Sequence, residues 1–444
     1  MRFLSLALFL SGCFSLVHAA EHPATLLIKN GYLISMEPGV ADAENSDVLI
    51  RGHTIIQTGR NLSEAGAEII DASGKYILPG FVDAHSHLWI TTLRGQFRNK
   101  DGEFSPVVTK LGAKMEPQDI YTSMFSGAVE LVASGITTSC DFFDNVRGPA
   151  WADAGYKALN DSGIRAIMFY GGPDKTTKTS VDLHHLRNLM AQPSPRVSLG
   201  LAWRLPRDMQ DAKNWAMRDR EFAFARDNKL PVQVHVSGKP DAMFNALIER
   251  RYLAPFVTVV HATDAKPEQL DALKKAGASL ALTPIGEHRV GYGVTRVDRF
   301  SRLERLGLGL DGNALAGSAD MFATLRLAAL TQSGAAKDEA LPNPRRLLEM
   351  ATLGGARAAG VDKITGSIAP GKRADIQIIN PQALNMSGFG GGDPAALIVY
   401  SAGPQNVETV IVDGSVLKRD GKMIAIDSDK TIDAANESAR KLLE

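Results

Sequence analysis

The sequence predicts an α/β fold in which a (β/α)8 TIM barrel is joined to a second, composite β-sandwich domain formed by both termini. Eight short apolar runs occupy the middle of the chain, and amphipathic segments of helical length separate several of them. Strands that alternate with helices in this way are typical of a parallel barrel. Both ends instead contain short strand-like runs broken by turn dipeptides such as Asn30-Gly31 and Asp413-Gly414, which is typical of β architecture. The apolar runs cover residues 81–84, 136–143, 164–170, 197–203, 232–236, 257–261, 278–282 and 306–311.

The predicted domain boundaries lie where strand-like runs give way to alternating apolar runs and amphipathic segments, and where the strand-like runs return. A chain of 444 residues can bury a large core, and its length fits one barrel of roughly 250 residues with a smaller domain beside it. We expect a signal peptide over residues 1–19 and the first part of the β-sandwich over residues 20–78. The barrel follows over residues 79–363 and closes with a helical region expected over residues 321–330 and 344–359. Residues 364–444 supply the second part of the sandwich and a C-terminal tail.

The N-terminus predicts export. A weakly positive start precedes an apolar run over residues 3–10, which is typical of a secretory signal and too short to span a bilayer. Small residues near this point predict cleavage after Ala19. As an alternative, residues 10–13 (Leu-Ser-Gly-Cys) resemble a bacterial lipoprotein box in which Cys13 is lipidated. We therefore expect a periplasmic or secreted protein, and lipidation of Cys13 is the alternative that would anchor it to a membrane.

The charge balance excludes a strong general attraction to polyanions. Lysine and arginine number 49, as do aspartate and glutamate, so the formal net charge is +0. No global field then favours nucleic acid or an anionic membrane. The expected partner is a small-molecule substrate, and homo-oligomerisation stays open. If Cys13 is removed with the signal peptide, Cys140 is the one cysteine left, and we expect it to be a buried packing residue.

Metal-competent side chains stand at the ends of four predicted barrel strands. His85 and His87 are two residues apart, so both imidazoles project from the same side of the first strand. His235, His261 and Asp311 end the fifth, sixth and eighth apolar runs. Because the carboxyl ends of barrel strands meet at one mouth, we expect these five side chains to converge. Imidazoles and a carboxylate are the ligands of a tetrahedral metal site.

These motifs resemble the metal-dependent amidohydrolase superfamily, and most closely its mononuclear branch of cytosine deaminases and triazine hydrolases. The resemblance rests on residues 79–87 (Pro-Gly-Phe-Val-Asp-Ala-His-Ser-His), on the later strand-end residues and on residues 366–376. It implies one divalent ion, Zn²⁺ or Fe²⁺, and hydrolysis of a C–N bond of amide, carbamate or amidine type by a metal-bound hydroxide. It also implies that His261 stabilises this hydroxide, that Asp311 accepts a proton, and that the metal ligands are His85, His87, His235 and Asp311.

Two departures from that branch keep alternatives open. Deaminases of the branch carry a Glu three residues after the fifth-strand His, where this chain has Gly238. Glu287 or His288, from the loop after the seventh strand, could supply the missing proton. Deamination of a purine, pterin or triazine-like heterocycle is therefore an alternative function. A catalytically silent, metal-stabilised binding protein is a second alternative.

The fourth-strand end also departs from the pattern of the branch. Residues 202–206 are Ala-Trp-Arg-Leu-Pro instead of a His-x-Pro-Tyr type segment. We expect Trp203, Arg204 and Arg289 to bind substrate, with the arginines contacting an anionic group. Residues 197–204 contain no lysine that could be carboxylated to bridge two metals, which favours a single ion.

Overall fold

The structure is a computed structural model that describes residues 25–98, 100–173 and 178–444. The expected signal peptide and Cys13 lie outside these ranges. Within them, no helix combines the length and the apolar character needed to cross a membrane. The strands are β1 (Thr25–Leu33), β2 (Ala43–Arg51), β3 (Thr54–Gly59), β4 (Glu68–Asp71), β5 (Tyr76–Pro79), β6 (Phe81–Ser86), β7 (Ile136–Phe143), β8 (Arg165–Tyr170), β9 (Val197–Trp203), β10 (Val232–Val236), β11 (Val257–His261), β12 (Ser279–Leu282), β13 (Leu306–Leu308), β14 (Ile376–Ile379), β15 (Val407–Val412), β16 (Ser415–Arg419) and β17 (Lys422–Met423).

Helices follow most of the barrel strands. Several of them begin with proline, whose fixed φ suits the first helical position and whose missing N–H is not needed there. The helices are α1 (Phe104–Gly112), α2 (Pro117–Ala133), α3 (Pro149–Ser162), α4 (Leu183–Met190), α5 (Ala212–Asp227), α6 (Pro240–Glu249), α7 (Pro267–Lys275), α8 (Pro284–Arg289), α9 (Asn313–Ala316), α10 (Met321–Ala336), α11 (Pro344–Met350), α12 (Leu353–Ala359), α13 (Pro394–Ser401) and α14 (Ser428–Leu443).

Strands β6 to β13 form a parallel sheet in sequential order, which confirms the predicted barrel. The barrel is nearly closed: beyond the end of β13, the backbone N–H of Asp311 donates to the carbonyl of His85 at 3.0 Å. Helices cover the outside of the sheet, and the lumen is filled by side chains, so the strands are almost entirely buried on both faces. Strands β6 and β7 nevertheless carry several buried polar residues, among them Asp83, His85 and Asp141. This closing hydrogen bond brings the ends of the first and last strands together.

The remaining nine strands form one sheet drawn from both ends of the chain. Its order is β17-β16-β15-β14-β5-β1-β2-β3, with β4 paired to β1. The antiparallel pairing of β5 with β14, from Tyr76 opposite Ile379 to Pro79 opposite Ile376, joins the N-terminal and C-terminal halves. The expectation that both termini fold together is thus confirmed.

Where the chain first passes from one sheet to the other, a single residue separates the two strands. Strand β5 ends at Pro79 and β6 begins at Phe81. A Cβ atom on the intervening Gly80 would lie 2.1 Å from the side chain of Thr137. Since no side chain can be accommodated at that distance, the close approach of the two sheets requires glycine here.

Two segments differ from the sequence-based expectation. The last apolar run, residues 306–311, is a strand only to Leu308, because the chain then turns and Asp311 adopts a left-handed φ of 62°. The helical region expected over residues 344–359 divides into α11 and α12, since Thr352 lies between them with φ −130° and ψ −99°. The first turn carries Asp311 toward the barrel mouth.

Candidate metal centre

Four of the five strand-end side chains form a compact group. One ligand atom from each of His85, His235, His261 and Asp311 lies within 4.8 Å of the others. They come from β6, β10, β11 and the turn after β13, at the carboxyl ends of the strands. Topology thus collects three imidazoles and one carboxylate from four distant parts of the chain.

His87 borders this group. Its ring centroid is 4.9 Å from that of His85, and its Nε2 is 3.5 Å from Asp311 Oδ1. The other ring nitrogen, Nδ1, is 3.1 Å from Asp144 Oδ1, which also accepts a 2.8 Å hydrogen bond from the Trp89 indole. Asp144 therefore fixes the orientation of the His87 imidazole.

His85 is oriented by Gln233. The Gln233 amide nitrogen donates to the Ala84 carbonyl at 2.8 Å, so the amide oxygen, 2.7 Å from His85 Nδ1, accepts from that nitrogen. His85 Nε2 then carries a lone pair directed at the cluster. Neither this atom nor His235 Nδ1 has a hydrogen-bond partner among the described residues, although both are buried. Buried imidazole nitrogens without partners beside a carboxylate fit a divalent metal ion.

Two histidines of the group, His85 and His235, are held in the neutral form that a metal requires. Burial lowers the pKa of His85 to about 4. Burial likewise holds the pKa of His235 well below its usual range, and the neighbouring His85 and Arg204 act in the same direction. Both imidazoles are therefore uncharged at neutral pH and can act as ligands.

Asp311 is buried but ionised. Burial by itself would raise the pKa of its carboxyl, yet the charge of His261 and the imidazole of His85 hold this pKa below its usual range. Helix α8 approaches so closely that a Cβ atom on Gly286 would lie 2.5 Å from Asp311 Oδ2. Asp311 is thus a carboxylate that can bind a cation and accept a proton.

His261 is supported by residues of the loop after β12. Its Nδ1 is 3.2 Å from both Glu287 Oε1 and Thr283 Oγ1. Burial would lower the pKa of His261, but Asp311 and Glu287 outweigh this effect and raise it. His261 can therefore donate a hydrogen bond into the site while Glu287 balances its charge.

Glu287 itself lies behind His261 rather than at the mouth. The carboxylate is completely buried and accepts hydrogen bonds from the backbone of Thr283 and from the hydroxyl of Thr295. The sequence singled out Glu287 as a proton donor to substrate. This placement is better suited to positioning His261. His288, the other proposed donor, is partly buried, and its Nε2 accepts a 2.9 Å hydrogen bond from the Thr295 backbone.

Trp203 and Arg289, two of the residues expected to bind substrate, contact other parts of the protein. Trp203 is completely buried on the helix-facing side of β9, where its ring packs against Phe222 and Tyr252 at centroid distances of 5.2 and 4.8 Å. Strand alternation turns it away from the lumen, which Ala202 faces. Arg289 uses its guanidinium to donate to backbone carbonyls, which belong to Phe97, Ala314 and Leu315. In the structure these side chains serve packing and loop support, and their role in substrate binding stays a prediction.

Arg204, the third expected contact, does lie beside the centre. Its guanidinium is 5.4 Å from the ring of Phe142 and forms an ion pair with Asp144. The Phe142 ring in turn packs against His235 at 4.3 Å. Arg204 is only partly buried, and its positive charge helps to lower the pKa of His235.

The centre opens on the side of His235. His85, His87, His261 and Asp311 are at most 5% exposed, whereas His235 is only partly buried. Further partly exposed side chains flank this opening: Arg204, Ser237 and Tyr292. The sequence alone did not single out Tyr292, although its position between Gly291 and Gly293 in the same loop as Glu287 was an available signal. Gln233 and Asp144 were also missed; one is two residues before His235 on β10, and the other follows the end of β7.

Comparison with known proteins gives consistent results. The model of the amidohydrolase family matches residues 76–417. The 5'-deoxyadenosine deaminase of Methanothermobacter thermautotrophicus is 28% identical over 439 residues, covering 93% of this chain and 99% of the relative. The 5-methylthioadenosine/S-adenosylhomocysteine deaminase of Thermococcus kodakarensis is 29% identical over 419 residues, covering 88% and 94%.

Solved structures share the fold. An adenosine deaminase from Xanthomonas campestris with bound zinc has a TM-score of 0.82 and 21% identity, with 95% of this chain and 99% of that chain covered. An atrazine chlorohydrolase from Arthrobacter aurescens complexed with zinc has a TM-score of 0.82 and 22% identity, with 93% and 100% covered.

Proposed function

Because this chain belongs to the amidohydrolase family and is a metal-dependent hydrolase of carbon–nitrogen bonds, we propose that it removes an exocyclic amino group from a small nitrogen heterocycle and releases ammonia. The observation that carries the proposal is the buried group of three imidazoles and one carboxylate within 4.8 Å. Relatives that span nearly the whole chain are deaminases of adenine nucleosides, and this favours amine release over the other C–N cleavages.

The residues of the centre have different roles in the reaction. Three members of this group, His85, His235 and Asp311, would hold a divalent ion such as Zn²⁺ or Fe²⁺ together with the bordering His87. Such an ion lowers the pKa of a coordinated water to about 7. Asp311 accepts the proton that the attacking water loses. His261, supported by Glu287, donates a hydrogen bond to the oxygen on which charge develops. The buried surroundings exclude bulk water and strengthen these interactions.

A second candidate function rests on Gly238. This residue has a left-handed φ of 78°, and a Cβ atom there would meet no described atom within 4 Å. No carboxylate therefore stands three residues after His235 to help the leaving nitrogen. Amides, carbamates and amidines that need less help of this kind are the alternative substrates. In either case Arg204, at the opening, supports a substrate with an anionic or strongly polar group.

A substrate panel separates these functions. The protein loaded with Zn²⁺ or Fe²⁺ is assayed for ammonia release from 5'-deoxyadenosine, S-adenosylhomocysteine, a pterin and an aminotriazine, and for cleavage of amides and carbamates. Deamination of at least one heterocycle, abolished in Asp311→Asn, supports the proposal. Cleavage of amides or carbamates alone would replace it with the second candidate. Variant Tyr156→Phe, at a hydroxyl that donates to the Gln192 carbonyl, controls for general effects of substitution.

Two further properties are proposed. The apolar segment over residues 3–10 supports export to the periplasm or the medium, with cleavage after Ala19 or lipidation of Cys13. A single metal per chain is supported by the single His–Asp group among the described residues. Intact mass of the exported protein separates cleavage from lipidation, and metal analysis with light scattering gives the metal count and any homo-oligomer.

A further inference from the structure

We propose that Tyr292 is a catalytic residue that donates a hydrogen bond to the departing nitrogen, in the space that Gly238 leaves open. This inference rests on the proposed deamination and adds to it a residue for the leaving group. It starts from the position of the tyrosine. The ring of Tyr292 stands against His261, with centroids 5.3 Å apart and planes inclined at 69°, and it is one of the partly exposed side chains at the opening.

The backbone of Tyr292 is firmly held. Its N–H donates to the carbonyl of Glu287 at 2.9 Å, and its own carbonyl accepts from Thr263 Oγ1 at 3.3 Å. The flanking residues Gly291 and Gly293 have φ values of 79° and 98°, which glycine adopts without strain. The same loop thus supports His261 through the Glu287 carboxylate and presents Tyr292 beside it.

The hydroxyl of Tyr292 is oriented by Ser237. Burial raises the pKa of the Tyr292 hydroxyl, and a side-chain hydrogen bond with Ser237 opposes this effect. A tyrosine hydroxyl both donates and accepts, so this one can accept from Ser237 and donate its own proton to a substrate. Ser237 directly precedes Gly238, where open space takes the place of a side chain. The Tyr292 hydroxyl is therefore a donor held beside this space.

A hydrogen-bond donor at this position acts at one stage of the reaction, after water has added to the ring carbon. An amino nitrogen on an aromatic ring shares its lone pair with the ring and accepts hydrogen bonds poorly. When water adds to the ring carbon, that carbon becomes tetrahedral and the lone pair localises on the nitrogen. The C–N bond then breaks, and the nitrogen leaves as ammonia with the proton that Asp311 took from water. Tyr292 keeps its own proton: its hydrogen bond holds the lone pair as it localises and is released when the proton from Asp311 binds the nitrogen. A contact formed at this stage changes kcat more than KM.

Steady-state kinetics of matched variants test the inference. The probe is 5'-deoxyadenosine, or the aminated heterocycle of the panel that the wild type converts fastest. Variant Tyr292→Phe keeps the ring and removes the donor, and we expect a fall in kcat of about tenfold with KM within about twofold. Variant Ser237→Ala keeps the donor but frees it, so a smaller fall of about threefold is expected. Tyr156→Phe is the control for loss of a tyrosine hydroxyl far from the centre, and metal content and Tm are measured for each variant.

The outcomes separate the inference from the proposed function. A kcat of Tyr292→Phe within about twofold of wild type overturns the role of Tyr292 while deamination stands. An increase in KM at unchanged kcat also overturns it, because it assigns the hydroxyl to ground-state binding. A fall in kcat matched by loss of metal or of Tm makes the residue structural and refutes the inference. A wild-type protein that deaminates no heterocycle of the panel overturns the proposed function itself.

Discussion

The hydrogen bond between Gln233 and His85 gives the sharpest test of the metal centre. Variant Gln233→Leu keeps much of the side-chain volume but removes the acceptor 2.7 Å from His85 Nδ1 and the donor 2.8 Å from the Ala84 carbonyl. The His85 imidazole then loses the partner that directs Nε2 at the centre. Residues in this position behind a metal ligand contribute about 10- to 100-fold in metal affinity, which corresponds to about 1.4–2.7 kcal/mol.

The same substitution also affects folding. It leaves two buried polar groups, His85 Nδ1 and the Ala84 carbonyl, without partners, and each such group costs about 1–3 kcal/mol. A general loss of stability must therefore be separated from a specific loss of metal. Gln377→Leu is the matched control, because Gln377 is also completely buried and donates to the Pro79 carbonyl at 3.1 Å, but on β14 of the second sheet.

Competition with a chromophoric chelator measures zinc affinity, and urea unfolding of the metal-free proteins measures stability. We expect both variants to lose stability and only Gln233→Leu to lose zinc affinity, by about 10- to 100-fold. Zinc affinity of Gln233→Leu within about twofold of wild type would refute the orienting role of Gln233. An equal loss in Gln377→Leu would refute its specificity.

Three other substitutions probe separate parts of the molecule. Glu287→Gln removes the charge behind His261 and should lower kcat by about 10- to 100-fold with metal content unchanged; an unchanged kcat contradicts the positioning role. Lys418 is buried, and burial lowers its pKa from 10.5 to about 8, so over that interval the unfolded chain holds more protons and stability rises with pH. Urea unfolding should show the wild type gaining about 3 kcal/mol relative to Lys418→Met from pH about 8 to about 10.5, and a flat difference contradicts this. Gly80→Ala places a Cβ atom 2.1 Å from Thr137 and should destabilise the protein by about 3 kcal/mol or more, so an unchanged urea midpoint refutes the close approach.

The barrel and the group at its mouth could be predicted from the sequence because topology determines both. Each apolar run of the expected barrel contains a strand, and parallel strands of a barrel end at a common mouth. A side chain at the last position of such a strand has little freedom in where it lies. His235 and His261 were therefore assigned to one centre without knowledge of any loop conformation, and the two lie in the same group of ligand atoms.

Trp203 shows a signal that was present and not used. Trp203 lies two and four residues after Leu201 and Leu199 on β9, and these leucines pack in the core between the strands and the helices. Alternation along a strand assigns Trp203 to the same outer face. Arg204, one residue later, lies past the strand end, where alternation no longer applies, and it reaches the centre. Position relative to the strand end thus separates the side chain that lies beside the centre from the one that packs outside the barrel.

The orientations of Glu287, Arg289 and Tyr292 could not be predicted, because they depend on hydrogen bonds between loops that are remote in sequence. Glu287 contacts His261 Nδ1, Arg289 donates to the carbonyl of Phe97, and Thr263 from the preceding loop holds the backbone of Tyr292. Local preference points elsewhere, since an acidic residue in a polar loop is usually solvated. His261 and Asp311 likewise adopt φ values of 68° and 62°, which residues other than glycine seldom occupy. Such backbone conformations persist only where surrounding contacts impose them. The strand ends therefore determine which groups meet at the centre, and the loops determine how each group is presented to the substrate.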